Sequence, residues 1–139
     1  MRIDIVQQVP EDELAMIRAA MQRHATSHVP WEADQELNIL ARDEAGQVIG
    51  ACLGKTGNGW MYLGLVWVDD SCRGQDIGTK LMRRAEEEGR RRGCYAAYLN
   101  TFSYEAKPFY EKLGYKVFGT LDEFPRGHKR FFLTKRLDD

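Results

Sequence analysis

The spacing of hydrophobic residues changes along the chain, and each spacing predicts a different element. Arg2–Val6 alternates polar and apolar residues, which predicts a first strand. After Pro10 and three acidic residues, apolar residues recur at helical intervals. Leu14, Ile17 and Met21 would form one apolar face, which predicts an amphipathic helix. Two segments flanking Gly46 then predict a hairpin of Glu36–Asp43 with Gln47–Gly54, followed by a tight turn at Lys55–Gly59.

The middle of the chain follows a different pattern. Trp60–Val68 is apolar without alternation, as expected of a strand covered on both faces. A helix over Asp76–Arg92, stopped by Gly93, and a second apolar strand at Tyr95–Leu99 follow. A strand–helix–strand unit of this length predicts two parallel strands with a right-handed crossover. The remainder predicts a helix at Ala106–Leu113 and strands at Lys116–Gly119 and Arg130–Arg136.

Composition narrows the class of protein. The 139 residues suffice for a single domain, and 43% hydrophobic with 29% charged residues is ordinary for a globular protein. A net charge of −1 gives no reason to expect nucleic acid or an anionic membrane as partner. Three cysteines without metal-ligand spacing, in a chain lacking a signal-peptide pattern at its start, predict a reduced, cytoplasmic protein that holds no metal.

The arginine-rich segment Arg83–Arg92 is better interpreted as a solvent-exposed helix face than as a nucleic-acid-binding surface. If the segment is helical, Glu86, Glu87 and Glu88 each precede an arginine by four residues. Oppositely charged residues at that spacing are neighbours on a helix surface. The segment therefore predicts a self-paired, solvent-facing stripe and no nucleic-acid surface.

The segment most informative about chemistry is the junction between the buried strand and the following helix. The first amides of a helix have no partners within it, and the helix dipole adds partial positive charge there. Gly74 and Gly78 would let a phosphate approach the backbone, and Arg73 adds a full charge. Alone, such a junction is as consistent with a turn that needs positive φ as with phosphate binding.

Two segments resemble the signatures of the GNAT superfamily of N-acetyltransferases. Arg73–Gly78 is similar to the family's pyrophosphate-binding loop, although Asp76 stands where the family has its first glycine. Phe109–Tyr115 resembles the second signature, a short helix ending in glycine before a strand. The resemblance implies an α/β (α+β) fold: a central mixed sheet with a splayed parallel strand pair, flanked by helices. It also implies acetyl-coenzyme A as co-substrate and an amine as acceptor.

The resemblance also implies roles for particular residues. Gly64, inside the buried strand, would mark a bulge beside the splay. The backbones next to it, at Val66, Trp67 and Val68, would bind pantetheine, and an amide near Leu65 or Val66 would stabilise the oxyanion. The remaining expected cofactor contacts lie in the loop, the start of the helix and the end of the next strand: Arg73, Gly74, Gln75, Asp76, Ile77, Gly78, Thr79, Asn100 and Ser103. Ser103 has a helix-capping role as its alternative, and Asn100 a turn-forming one.

Tyr110 is the catalytic residue that the resemblance implies, as the acid that protonates the departing thiolate. A hydroxyl of high pKa keeps its proton at neutral pH until the thiolate forms. The alternative is an amphipathic core tyrosine. The general base stays open, because Trp60–Val68 holds no carboxylate. Solvent is one option, and the candidate residues are Glu36, Glu105 and His128.

The acceptor cannot be read from the sequence. We expect it to be bound by the first helix, the Thr26–Gln35 loop and the Asp122–Lys129 loop, where acids and Trp31 hint at a cationic small molecule or mark only a polar surface. The last strands could support a homodimer. The competing function is a non-catalytic sensor of acyl-coenzyme A with the same fold, which the missing strand carboxylate would permit.

Overall fold

The computed structural model describes residues 1–138 and divides the chain into two compact units. The first, Met1–Glu32, holds helix α1, Glu11–Thr26, which begins after Pro10 as predicted. Acids fill its first turn and Arg23 and His24 its last, so both ends match the helix dipole. The strand predicted at Arg2–Val6 is wrong: residues 1–6 form no strand. Alternation alone does not make a strand, which needs a hydrogen-bonded neighbour, and the sheet begins only at Gln35.

The second unit, from Ala33 onward, is built on a sheet of six strands in the order β1-β2-β3-β4-β6-β5. Neighbouring strands are antiparallel except β3 and β4, which are parallel as predicted. The strands are β1 Gln35–Arg42, β2 Val48–Gly57, β3 Trp60–Val68, β4 Ala96–Phe102, β5 Lys116–Asp122 and β6 Lys129–Arg136. The helices are α2 Ile77–Arg91 and α3 Lys107–Lys112, with a 3₁₀ turn at Asp70–Cys72 before α2. The mixed sheet flanked by helices that the resemblance implied is confirmed.

The hairpin turn after β2 is shorter than the sequence indicated. The predicted turn covered Lys55–Gly59, but β2 runs through Gly57 and only Asn58 and Gly59 turn the chain. Both turn residues have positive φ, at 54° and 83°. Asparagine and glycine adopt this region readily, so two residues suffice for the reversal.

The parallel pair separates partway along its length. Ladder positions join Trp60–Leu63 of β3 to Ala96–Leu99 of β4 and end there. Beyond them β3 stays paired with β2, and β4 stays paired with β6. The splay inferred from the resemblance is therefore present, and it begins after Leu63 and Leu99.

A bulge at Gly64 accompanies the splay. Leu53 lies opposite Leu65 while Gly54 lies opposite Leu63, so Gly64 is an extra residue in β3. Successive side chains of a strand point to opposite faces, and one extra residue reverses that alternation. As a result Met61 and Leu63, before the bulge, share the core-facing side of the sheet with Val66 and Val68 after it.

The bulge depends on a second glycine that the sequence analysis assigned only to the end of a strand. A Cβ built on Gly54 would overlap the carbonyl oxygen of Tyr62 in β3. Gly54 therefore lets β2 and β3 approach where the register shifts.

The core lies between the sheet and α2. Its largest fully buried side chains come from strands β1 to β4 and β6, from α2, and from the residue before β5: Leu37, Cys52, Met61, Met82, Leu99, Tyr115 and Leu133. Burial of each aliphatic side chain contributes roughly 1.5–3 kcal/mol. This packing fixes the position of α2 against the strands that form the splay.

The prediction that the acidic residues of α2 pair with arginines of the same helix on its surface is wrong for Glu86. Glu88 does pair with Arg92, at 2.8 Å, and also with Arg91. Glu86 instead is 5% exposed, accepts a hydrogen bond from the Tyr115 hydroxyl at 2.9 Å, and pairs with Lys135 at 2.8 Å. A buried carboxylate needs such partners, because an isolated buried charge is costly. It therefore connects α2 to β6 and to the residue before β5.

We predict that Gly54→Ala lowers the free energy of unfolding by about 3 kcal/mol, the upper end of the usual cost of overpacking. The physical reason is the overlap of the new methyl group with backbone, which cannot rotate away. Gly64→Ala is the matched control, because its Cβ would approach the Tyr62 ring to 3.2 Å and the Leu53 carbonyl oxygen only to 3.7 Å, and should cost about 1 kcal/mol. Urea denaturation measures both, and equal losses would contradict a special requirement at Gly54.

Candidate active site

A cleft of about 530 Å³ lies beside the splay, on the face of the sheet that carries α2 and α3. Several of its lining residues were predicted from the sequence as site residues: Val66, Val68, Arg73, Gly78 and Tyr110. Glu105, a candidate base, also lines it, together with Tyr104, Ala106 and Phe109, which the sequence analysis did not assign to the site. The cleft therefore brings together the splayed strand, the start of α2 and α3.

The exposed edge of β3 offers fewer backbone contacts than expected. The amide of Asp69 donates to the carbonyl of Ile49 at 2.8 Å, so Asp69 and, two residues earlier, Trp67 point toward β2. Val66 and Val68 alternate with them and direct their backbone groups into the gap beside β4. Trp67 pairs with Ala51 of β2, so a pantetheine contact at its backbone would have to compete with that pairing.

The start of α2 supplies unpaired amides. The first backbone bond of the helix runs from Lys80 to the carbonyl of Asp76, at 3.0 Å. The amides of Ile77, Gly78 and Thr79 consequently have no acceptor within the helix. No side chain caps them either. Amides in this arrangement form an anion-binding site.

Asp76 adopts a left-handed backbone conformation, with φ 58° and ψ 24°. The family's glycine at this place would take that conformation freely, whereas an aspartate takes it at some cost. The helix begins at Ile77, one residue later than predicted, and Asp76 stands just outside it as the N-cap residue. Its carboxylate makes no capping bond. Gly74 has φ of 84° and open space around it.

Arg73 lines the cleft with its positive charge partly compensated. It pairs with Asp70 at 3.0 Å, and both side chains are largely exposed. An exposed pair of this kind is weak. The guanidinium can therefore exchange Asp70 for a better anion at little cost. Gln75, between Gly74 and Asp76, is exposed in the same loop.

Gly78 gives α3 room to approach α2. A Cβ at Gly78 would lie 3.2 Å from the Phe109 ring and 3.8 Å from Val68. Phe109 in turn packs edge-on against Tyr110, with ring centroids 5.1 Å apart. Phe109 thus forms the wall between the start of α2 and the tyrosine. The only sequence signal for it was its place beside Tyr110 in the second signature.

Tyr110 is 7% exposed and lines the cleft from α3. Burial raises the pKa of Tyr110 to about 12, with smaller contributions from Cys52 and Glu105. The hydroxyl therefore carries its proton throughout the neutral range. A protonated hydroxyl in a cleft can donate a proton to a leaving group.

Ser103 and Asn100 lie away from the cleft lining. Ser103 does not cap α3, which has Ala106 as its N-cap residue. Its hydroxyl accepts a hydrogen bond from the Lys129 amide at 3.0 Å and lies 3.4 Å from Nδ1 of His128. The Asn100 side chain points to the other face of the sheet, where Nδ2 donates to the Tyr62 hydroxyl at 3.3 Å. A cofactor contact at Asn100 would have to use its backbone.

The candidate bases occupy separate places. Glu105 lies in the cleft, where one carboxylate oxygen accepts the Phe102 amide at 3.0 Å. Glu36 accepts a hydrogen bond from Asn38 on β1, and both are exposed. His128 packs against Tyr104, with centroids 5.1 Å apart. The structure does not bring these groups together at one point.

Comparison with known proteins identifies the family. The sequence profile of the acetyltransferase (GNAT) family matches residues 7–115. The chain belongs to the GNAT family. It is therefore an acyl-coenzyme A-dependent acetyltransferase, and the resemblance noted in the loop and in α3 is confirmed at the level of the family.

Two curated relatives lie within the same family. An acetyltransferase of Agrobacterium fabrum, Atu2258, is 40% identical over 106 residues, which are 76% of this chain and 77% of the relative. A blasticidin-S acetyltransferase of Streptomyces morookaense is 32% identical over 95 residues, or 68% of this chain and 70% of the relative.

Solved structures of GNAT acetyltransferases share the fold. A crystal structure of an acetyltransferase from Agrobacterium tumefaciens has a TM-score of 0.87 at 32% identity, covering 98% of this chain and 99% of the other. An aminoglycoside 6′-N-acetyltransferase complexed with coenzyme A has a TM-score of 0.66 at 23% identity, covering 73% of each chain. The second likeness shows the fold alone, and its coenzyme A is a property of that structure.

No helix among residues 1–138 is long and apolar enough to cross a membrane. No group of three or more histidine, cysteine, aspartate or glutamate side chains among them is arranged to hold a metal ion.

Proposed function

We propose that this acetyltransferase moves the acetyl group of acetyl-coenzyme A to an amine of a small molecule or peptide, by direct attack in a ternary complex. The observation that carries the proposal is the splay after Leu63 and Leu99, with a cleft running from it to the unpaired amides of α2. A phosphate-bearing ligand with a long polar arm fits such a cleft. In a ternary complex no acyl-enzyme is needed.

The donor is held by backbone more than by side chains. The amides of Ile77, Gly78 and Thr79 and the guanidinium of Arg73 suit the pyrophosphate, with Gly74 leaving room for it. Val66 and Val68 offer strand hydrogen bonds to the pantetheine arm, as an added strand would. The Val66 amide, nearest the bulge of these two, is placed to stabilise the thioester oxyanion.

Tyr110 then acts as the acid. Attack of a neutral amine on the thioester carbonyl forms the C–N bond, and collapse of the adduct breaks the C–S bond. The departing thiolate takes the proton of the Tyr110 hydroxyl. With a pKa of about 12, the hydroxyl keeps its proton until negative charge develops on the sulfur, and the tyrosinate left by the transfer then recovers a proton from water. Because β3 holds no carboxylate, we propose that the amine loses its proton to water.

The proposed acceptor is a small amine. One relative, 32% identical, is named for an antibiotic, blasticidin S, which favours a small amine over a protein substrate. The homodimer, the cytoplasmic location and the absence of nucleic-acid partners stay predictions from the sequence.

The test of the proposal is thiol release from acetyl-coenzyme A with a panel of small amines and peptides. We expect release with at least one amine, and a rise of roughly 5–10 °C in melting temperature with saturating acetyl-coenzyme A. ADP, which lacks the pantetheine arm, should raise it less. A thermal shift with no thiol release from any amine would indicate the sensor, and no shift at all would contradict donor binding at this cleft.

We predict that Tyr110→Phe keeps the thermal shift with acetyl-coenzyme A and lowers kcat by roughly 10²- to 10⁴-fold, because proton delivery to the thiolate is lost. The wild-type kcat should show no decline from ionisation of Tyr110 up to about pH 10, since its pKa is about 12. Phe109→Leu is the control, because it alters the adjacent cleft wall and leaves the hydroxyl. An unchanged kcat in Tyr110→Phe would remove Tyr110 from the mechanism.

We predict that Asp76→Asn and Asp76→Gly bind coenzyme A more tightly than the wild type. Repulsion between the carboxylate and a pyrophosphate roughly 7 Å away costs on the order of 0.5–2 kcal/mol, or about 2- to 30-fold in Kd. The gain in the asparagine variant should shrink as salt rises. Glycine should also relieve the left-handed backbone at this position.

Isothermal titration at low and high salt measures both variants of Asp76. Asp70→Asn is the comparison, since it removes an acid of the same loop that pairs with Arg73 and leaves the backbone conformation of Asp76 as it is. Weaker binding by Asp76→Asn would show that its carboxylate assists the pyrophosphate site, in contradiction to the electrostatic argument.

A further inference from the structure

Arg130 is held in an unusual environment on the face of the sheet opposite the cleft. Its guanidinium carbon lies 5.2 Å, 4.8 Å and 5.4 Å from the ring centroids of Phe102, Phe124 and Phe132. Its Nε donates to Oδ1 of Asn100 at 3.0 Å. The aromatic rings and the single hydrogen bond fix the orientation of the side chain. They leave the two terminal nitrogens, with four N–H donors, directed away from Asn100.

No carboxylate of residues 1–138 lies within ion-pair distance of this guanidinium. The acids on nearby elements have other partners. Asp122 pairs with Lys129, and Glu123 accepts the amide of Gly127. Glu105 accepts the Phe102 amide on the cleft side. Within residues 1–138, Arg130 is therefore a half-buried cation that contacts three ring faces and one amide oxygen and has no carboxylate partner.

Arg130 is connected through Asn100 to the point where β3 and β4 separate. Asn100 is the first residue of β4 past the last parallel pair, Leu63 with Leu99. Its amide joins Arg130 on one side and the Tyr62 hydroxyl on the other. Leu99, on the opposite face, belongs to the core below the sheet. A line of hydrogen bonds from Tyr62 to Arg130 thus runs across the start of the splay.

We propose that Arg130 binds a carboxylate of the acceptor, so that the substrate is a small amino acid-like amine. This rests on the proposed function, in which the donor fills the cleft beside α2 and α3. The acceptor must then reach the thioester through the splay from the other face, which is the face of Tyr62 and Arg130. The planar pair of terminal nitrogens matches a carboxylate by two parallel hydrogen bonds.

The same observations weigh against a cationic acceptor. The acids that hinted at one from the sequence include Asp34 and Asp122, and each is paired with a lysine. An unbalanced positive charge beside the splay would repel a second cation and attract an anion. Asn100 acts as a positioning residue in this arrangement, because it occupies Nε and leaves the terminal nitrogens available to a ligand.

The experiment compares matched pairs of amines, each an amino acid and its carboxamide, in the thiol-release assay. We expect the wild type to prefer the carboxylate member. Arg130→Gln should raise KM for that member roughly 10- to 100-fold and change KM for the amide less than about 3-fold. Arg130→Lys should restore part of the loss. Lys129→Met is the control, since it removes a neighbouring cation that already pairs with Asp122.

Two further readouts separate the possible failures. Arg130→Gln should keep the thermal shift with acetyl-coenzyme A, which shows that the donor side is intact. Isothermal titration of the same pairs into protein saturated with coenzyme A measures acceptor binding without turnover. Thiol release from other amines with no carboxylate preference would overturn the Arg130 site and leave the proposed function standing. A preference for aminoalkyl phosphonates, or equal losses for acid and amide in Arg130→Gln, would also overturn it, as would no Arg130-dependent binding in the titration.

Discussion

A strand directs its side chains alternately to its two faces, so one extra residue exchanges the faces for everything that follows. Gly64 is that residue in β3, and it lies where β3 and β4 separate. Without it, Leu65 and Trp67 would point into the cleft in place of Val66 and Val68. The bulge therefore determines which side chains line the cleft and which backbone groups face the gap, and Gly54 is the residue of β2 that makes room for it.

The loop before α2 carries acidic residues as well as the positive groups expected of an anion-binding site. In the proposed site, unpaired amides at the start of α2 and the guanidinium of Arg73 would attract the pyrophosphate. Asp70 pairs with Arg73, and Asp76 stands at the helix end with its carboxylate uncapped. We expect these two acids to lower the affinity of the site for an anion, because like charges repel. Asp76 has the left-handed backbone conformation that a glycine would adopt at this position. Substitution of Asp76 can therefore change the charge of the loop without changing its backbone conformation.

The parts of this structure that the sequence predicted are those set by neighbours in the chain. The extent of Trp60–Val68, the helix ending before Gly93, and the glycine bulge follow from local spacing and backbone freedom. The position of Tyr110 followed only from the resemblance, because nothing near it in the chain distinguishes it from a core tyrosine. Residues whose roles depend on distant partners were misread or missed.

Each of those misreadings has a physical cause. Glu86 resembled a surface residue because its partners, Tyr115 and Lys135, lie far along the chain. Phe109 and Gly54 contact residues of other elements, which local spacing does not report. In β3, the apolar pattern identified the segment but not which amides face the gap. That depends on the register with β2, which is set by the pairing of whole strands.

The groups to which the proposed mechanism gives roles lie on opposite faces of the sheet at the splay, and no single residue connects them. On one face, Tyr110 is desolvated by α3 and the core, which keeps its proton in place. On the other, Asn100 carries hydrogen bonds to Tyr62 and Arg130, so the side chain nearest the opening is fixed from both sides. In the proposed mechanism, the thiolate would receive its proton from the face of Tyr110, and the amine would approach from the face of Asn100 and Arg130. The separation of β3 from β4 after Leu63 and Leu99 is the feature on which that proposal depends, because it opens a passage between the two faces of the sheet.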